Sequence, residues 1–330
     1  MIAVIRQAEV DNIGSSLRFS DSMAAPPGAL DRFTMEKSAY VRPFDDTSEV
    51  HRTMYLPIAE TRVPRPYRIY EDECVDEEHR LPGGNTGGAV RIGDTVRRAP
   101  GEWTPSVHAV LRHLEAVGFD RAPRALGFDD RGREVLSFLP GDVVGVTRPW
   151  PGWVHSDEAL RQVAGWLRDF HAAMAGFVPA PEAVWREGGA WRPGLVIGHN
   201  DAAPYNAAWA DGRLAGFFDW DFAAPVTTEW DLAFTAFAWV PLHARHVVAA
   251  EGFTAFADRP RRLRLFLDAY GWTGPSEVFV EVVRQRVSAS AQGIRRTAAA
   301  GDPAYLRMIE SGIDLALEAA VNELADFPAG

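Results

Sequence analysis

Three polar side chains, Asp201, Asn206 and Asp219, each sit beside an apolar, strand-like run, in "VIGHNDAAPYN" at 196–206 and "GFFDWDF" at 216–222. One carboxylate can orient a hydroxyl while the amide and the second carboxylate hold a divalent cation. Phosphoryl transfer needs these parts, because it depends on positioning and on neutralising phosphate charge. The intervening "AAWADGRLAGFF" reads as two short strands joined at Asp211-Gly212, a favoured two-residue hairpin turn. Pairing Ala210 with Arg213 sets Asn206 opposite Phe217. Asp219 then becomes a diagonal neighbour of Asn206 on the same face, with Phe218 turned into the core. Two oxygen ligands so placed can share one Mg²⁺ at about 2.1 Å each, with phosphate oxygens and water completing the octahedron.

The run "HNDAAPYN" matches H-x-D-x-x-x-x-N at its three defining positions, and "FFDWD" follows it as an acidic segment. Together they resemble the corresponding motifs of the aminoglycoside phosphotransferase family, which has a protein-kinase-like fold. The resemblance spans roughly 81–325 and is most specific at 196–222. It implies that Asp201 is the catalytic aspartate, that Asn206 and Asp219 bind Mg²⁺, and that His199 braces the catalytic loop. Asp221 is left to either a second metal or loop stabilisation. Asp231, in "TTEWDLAF", falls at a helix start, where capping is the simpler role.

The 330-residue chain is long enough for one sizeable core or two lobes. A formal net charge of −11 argues against general binding to nucleic-acid backbones and would suit a cationic small molecule. The single cysteine, Cys74, excludes an internal disulfide and a cysteine-built zinc site. No apolar run approaches membrane-span length, so a soluble cytoplasmic protein is expected, its oligomeric state open. Residues 1–80 stand apart: all eleven tryptophans lie at 103 or later, and Pro26-Pro27, Pro64, Pro66 and "EDECVDEE" interrupt any helical period. That segment reads as a poorly structured extension or appendage, with Met35 and Met54 as internal candidate starts.

Helix signals are clear further on. Val107, Val110, Leu111, Leu114 and Val117 form a stripe between Thr104-Pro105 and Gly118, and Ser156 caps a second helix over 157–175. "REVLSFLPGD" at 133–142 reads as a buried strand leaving into a Pro-Gly turn, and the chain after 228 is mainly helical. Strands first and helices later give an α+β class. The resemblance makes it specific: a small β-rich N-lobe at 81–135, a linker at 136–141 and a larger helical C-lobe at 142–330.

On the nucleotide side, Gly83, Gly84, Gly87 and Gly88 can let backbone N–H groups approach phosphate. A Walker-type loop is excluded, because no G-x-x-x-x-G-K-[ST] run occurs. A kinase-like enzyme needs a cation on its third strand; here Arg97 is the best match and Arg98 the alternative. The next helix offers Val107 and His108 where an acidic partner belongs, so the usual Lys–Glu pair is missing or relocated. The segment Leu136 to Leu139, with Ser137 and Leu139, takes the place of the linker that meets the purine edge in relatives. His171 reads as helix packing, His155, His243 and His246 as unconnected to metal, and Trp150, Trp153, Trp185 and Trp191 as core and lid packing rather than cleft lining. The expected activity is Mg²⁺-dependent transfer of the γ-phosphoryl of ATP or GTP to a small-molecule hydroxyl, such as an antibiotic or metabolite, and a loose transition state requires no strongly raised Asp201 pKa. The alternative is a kinase-like binding or immunity protein. Protein-side-chain phosphorylation lacks an activation segment after "DWDF".

Overall fold

The computed structural model describes residues 77–81, 88–145 and 148–328. The expected extension, apart from its last four residues, and Gly83, Gly84 and Gly87 lie outside the described residues. Two of those four, His79–Arg80, form β1, so the sheet begins just before the boundary read from the sequence. It continues with β2 (Val90–Ile92), β3 (Thr95–Arg98), β4 (Ala125–Phe128) and β5 (Glu134–Ser137) in the antiparallel order β1-β2-β3-β5-β4. Between β3 and β4 runs α1 (Thr104–Ala116), with Pro105 in its first turn, Gly118 at φ +80° behind it, and Val107, Val110, Leu111 and Leu114 almost fully buried. These are the strand-rich lobe and the helix that backs it.

The larger part is helical, built on α2 (Asp157–Met174), α3 (Thr228–Trp239), α4 (Arg245–Ala250), α5 (Arg259–Tyr270), α6 (Ser276–Ala299), α7 (Pro303–Glu310) and α8 (Ile313–Glu323). Ser156 caps α2 as its sequence predicts, its hydroxyl accepting from Ala159 N at 3.1 Å. Two small ribbons carry the motif residues: β6 (Val196–Gly198) pairs with β9 (Ala224–Val226), and β7 (Ala207–Ala210) pairs with β8 (Arg213–Phe217). A continuous core joins α1, α2, α3 and the ribbons. Within it Trp166, Phe170, Phe217 and Trp220 interlock, with Trp166–Phe217 centroids at 4.6 Å and Phe170–Trp220 at 5.2 Å. Among the described residues no helix is long and apolar enough to cross a membrane.

The β7–β8 hairpin turns at Asp211-Gly212, both at positive φ (52° and 73°), and pairs Ala210 with Arg213 as expected. Beyond that its register departs from the sequence reading. Trp209 faces Leu214 but Ala208 faces Gly216, so Ala215 is an extra residue on β8, a bulge. Asn206 therefore lies opposite Phe218, whose N–H donates to Asn206 O at 2.9 Å, and not opposite Phe217. Because a one-residue slip exchanges the faces, Phe217 is the core residue and Phe218 is only half-buried. At the far end of the linker, Asp142 and Trp209 exchange both backbone hydrogen bonds, at 2.6 and 2.9 Å. Gly141 makes that approach possible: at φ +141° its Cβ would lie 2.6 Å from Trp209 O.

Candidate active site

The H-x-D-x-x-x-x-N motif follows β6, and Asp231 of α3 holds it in place. Buried completely, this carboxylate accepts from the backbone N–H groups of His199 (3.0 Å) and Asn200 (2.7 Å) and from His171 Nε2 (3.0 Å). Burial opposes its charge, but the His171 hydrogen bond and the neighbouring imidazoles hold it below the usual carboxylate range. Asp231 is therefore not the helix cap; Thr227 caps α3, its hydroxyl accepting from Trp230 N at 3.3 Å. Gly198 gives the carboxylate room, since a Cβ there would lie 2.8 Å from Asp231 Cγ. His171 connects onward, its Nδ1 2.8 Å from the Tyr270 hydroxyl.

Asn200 takes the left-handed conformation at φ 61°, which asparagine tolerates. Its amide nitrogen faces the carbonyls of Phe222 (3.1 Å), Gly198 (3.4 Å) and Ala224 (3.5 Å), while its Oδ1 is buried without a partner. Arg286 of α6 donates to Asn200 O at 3.3 Å. His199 sits under the loop, its Nδ1 accepting from Asp201 N at 3.3 Å and its ring 4.6 Å from Trp220. Burial holds that imidazole below its ordinary pKa, so it stays neutral.

Asp201 is buried at 8 % exposure. Tyr205 donates its hydroxyl to one carboxylate oxygen at 3.0 Å and Asn206 Nδ2 donates to the other at 2.8 Å. Burial, reinforced by the nearby Asp219 charge and opposed by the Asn206 bond, pushes its pKa up to about 6. A loose transition state does not require this rise; it comes from the burial of the carboxylate. Because Asn206 gives its nitrogen to Asp201, its oxygen is the atom left to face a cation. Asp219, also left-handed at φ 60°, follows directly on the residue that pairs with Asn206.

Opposite these residues stands Arg98. Its guanidinium donates to Glu134 at 2.6 Å, to Asp219 at 3.1 Å and to Asp221 at 2.5 Å. Burial works against its charge, but the three carboxylates outweigh it and raise its pKa. Arg97, one residue earlier on the pleat, points elsewhere, reaching Thr95 Oγ1 at 2.6 Å and Asp129 at 3.7 Å. The ion pair expected between strand and helix lies inside the sheet, with Glu134 directly opposite Arg98 across β3–β5. His108 of α1 donates to the other Glu134 oxygen at 2.9 Å. Arg186 adds a second cation, 3.4 Å from Asp221 and 4.7 Å from the Phe222 ring.

The remaining candidates are placed less centrally. Gly88 leads into β2 at φ +77° from the β1–β2 connection that holds the other three glycines. Ser137 lies within β5, its N–H donating to Arg124 O at 3.0 Å and its hydroxyl accepting from Arg124 N at 2.8 Å. Phe138 N donates to Asp94 O at 2.8 Å, so Leu139 is the first linker residue beyond these bonds. Trp150 and Trp185 are core; the tryptophan lining the cleft is Trp230. That cleft, about 380 Å³, opens beside Asp201 between α3, α6 and α7. Glu134, Arg186, Tyr205 and Arg286 were not singled out from the sequence. Only Tyr205, inside the motif and one turn from Asp201, carries a local signal; Glu134 lies 36 residues from Arg98.

No family model matches the chain. The trifolitoxin immunity protein of Rhizobium leguminosarum bv. trifolii is 37 % identical over 202 residues, 60 % of this chain and 75 % of that protein. The chain belongs to the family of that immunity protein. Its fold is the protein-kinase-like fold of aminoglycoside phosphotransferases and related small-molecule kinases. Amicoumacin kinase hAmiN, solved with AMP-PNP, Ca²⁺ and Ami, is similar at a TM-score of 0.53 and 12 % identity, over 76 % of this chain and 88 % of that one. The macrolide 2′-phosphotransferase MphH of Brachybacterium faecium is similar at a TM-score of 0.45 and 18 % identity, over 74 % and 92 % of the two chains.

Proposed function

We propose that the chain is a small-molecule phosphotransferase that inactivates a toxin or antibiotic by transferring the γ-phosphoryl of ATP or GTP to a hydroxyl. The observation that carries this reading is Asp201: a buried carboxylate at the wall of a cleft, held through both oxygens by Tyr205 and Asn206, beside Asp219. In this reading Asp201 accepts a hydrogen bond from the acceptor alcohol and takes its proton late. Arg98 lies against the non-transferred phosphates.

Hard oxygen donors suit Mg²⁺, and Asn206 Oδ1 with the Asp219 carboxylate are the atoms that would hold it. Among the described residues no three His, Cys, Asp or Glu side chains form a metal-holding group. Bound there, the ion neutralises phosphate charge. Arg98 also contacts Asp219, at 3.1 Å, so the ion and the guanidinium would share that carboxylate, and nucleotide phosphates would offer Arg98 a further anion.

A second reading is an immunity protein that sequesters its ligand without phosphorylating it. The Arg98 contacts to Asp219 and Asp221 favour it, because they already neutralise the carboxylates a metal would use. Mass spectrometry of an antibiotic and toxin panel incubated with ATP, GTP and Mg²⁺ separates the two. A phosphorylated product that falls at least 100-fold with Asp201→Asn, while nucleotide affinity persists, supports the enzyme; an unaltered rate rejects it. Protection that survives Asp201→Asn, with no product, supports the binder.

A further inference from the structure

The cleft beside Asp201 has a charge pattern that selects among acceptors. It runs along α6, where Ala289, Ser290 and Gly293 keep the middle open between Arg286 at the catalytic loop and Arg296. The ten residues from Arg286 to Arg296 are about 15 Å of helix. The facing walls are largely apolar, with Trp230 and Phe234 of α3 also meeting the Arg286 guanidinium at 5.6 and 5.1 Å.

Among the described residues two carboxylates line this space, Asp201 and Glu187. Asp201 is already committed to the reacting hydroxyl. Glu187 accepts from the Tyr305 hydroxyl at 3.1 Å and lies in the field of Arg286. A polycation would bring several ammonium groups to a cleft whose acids are both engaged and whose two arginines repel it. The opposite charge has a vacant partner: Arg296 is exposed, makes no ion pair among the described residues, and holds its guanidinium 3.8 Å from the point where a Gly293 Cβ would sit. Arg286 Nε is buried in the same wall without a partner among the described residues.

We propose that the acceptor is an elongated alcohol with an apolar body and an anionic group, its hydroxyl at Asp201 and its anion at Arg296, and that polycations are excluded. This rests on the phosphotransferase reading of Asp201. Three probes of one length test it by calorimetry without nucleotide: 12-hydroxydodecanoate, its neutral amide, and 12-aminododecanol. The carboxylate should bind at least tenfold more tightly than the amine. Arg296→Glu, a surface change, should reverse that order and Arg296→Lys should keep it. The proposal is overturned if none of the probes binds, if the amine matches the carboxylate, or if Arg296→Glu leaves the order unchanged. Product formation is read separately, by mass spectrometry with ATP or GTP and Mg²⁺. The expected binding order without product sinks the transfer reading alone; product with the opposite order sinks the acceptor assignment alone.

Discussion

Replacing Asp231 with alanine removes the acceptor on which the loop after β6 hangs. The carboxylate receives the N–H groups of His199 and Asn200 at 3.0 and 2.7 Å and His171 Nε2 at 3.0 Å, at a position with no exposure. Each stranded buried N–H costs about 1–3 kcal/mol. Two of them, with the loss of a buried charged acceptor, put the destabilisation at about 3–5 kcal/mol. A helix cap, the role its sequence position implies, would cost only about 1 kcal/mol. For a domain of this size the larger figure lowers the melting temperature by about 10 °C. Thermal unfolding by near-ultraviolet circular dichroism at pH 7 measures it, with Asp231→Asn as comparator. Asparagine retains one acceptor oxygen and should lose about half as much. A fall of under ~3 °C for alanine is the cap-sized effect and would refute the anchoring argument.

Arg98→Gln should weaken nucleotide binding at least tenfold while Arg97→Gln changes it by under about twofold, since Arg98 and not Arg97 contacts Asp219 and Asp221; calorimetry with a non-hydrolysable ATP analogue decides. Asp201 is pushed up to about 6 by burial, and in the proposed role it must be ionised to accept a proton, so kcat/KM should fall as pH drops below that value and level off above it. A flat profile from pH 5 to 8 would contradict this. Glu251, 3.2 Å from Arg148, is raised by burial from 4.5 to about 7. Between those values the folded state binds more protons than the unfolded one, so stability falls as pH rises through the window, by about 3 kcal/mol at most. Glu251→Gln should flatten that slope in melting curves taken from pH 5 to 7.

What the sequence made legible is what neighbouring residues decide. The Asp211-Gly212 turn, the Ser156 cap and the Gly118 stop each act within a few residues, and all three appear in the structure. The bulge at Ala215 does not announce itself, because an alanine in an apolar strand looks the same paired or extra; the register error and the exchange of Phe217 for Phe218 follow from it. Asp231 was legible as a polar residue near a helix start. Its true partners lie 31, 32 and 60 residues away, and only the fold brings them together.

The relocated ion pair shows why the missing acid on α1 was misleading. A strand cation paired with a helix glutamate depends on where that helix sits, so helix movement loosens the cation. Here Glu134 faces Arg98 across β3–β5, in a register that also pairs Val96 with Leu136 and Thr95 with Ser137. The sheet itself therefore fixes the guanidinium, and α1 is attached through the His108 hydrogen bond to the second oxygen of the same carboxylate. Arginine suits that position better than lysine, since its fork reaches Glu134, Asp219 and Asp221 at once where an ammonium is a single point charge. Arg98→Lys should therefore keep the charge yet lose much of the contact with the aspartates. If it instead matches wild type in stability and in nucleotide affinity, the forked geometry has no function and only the charge matters.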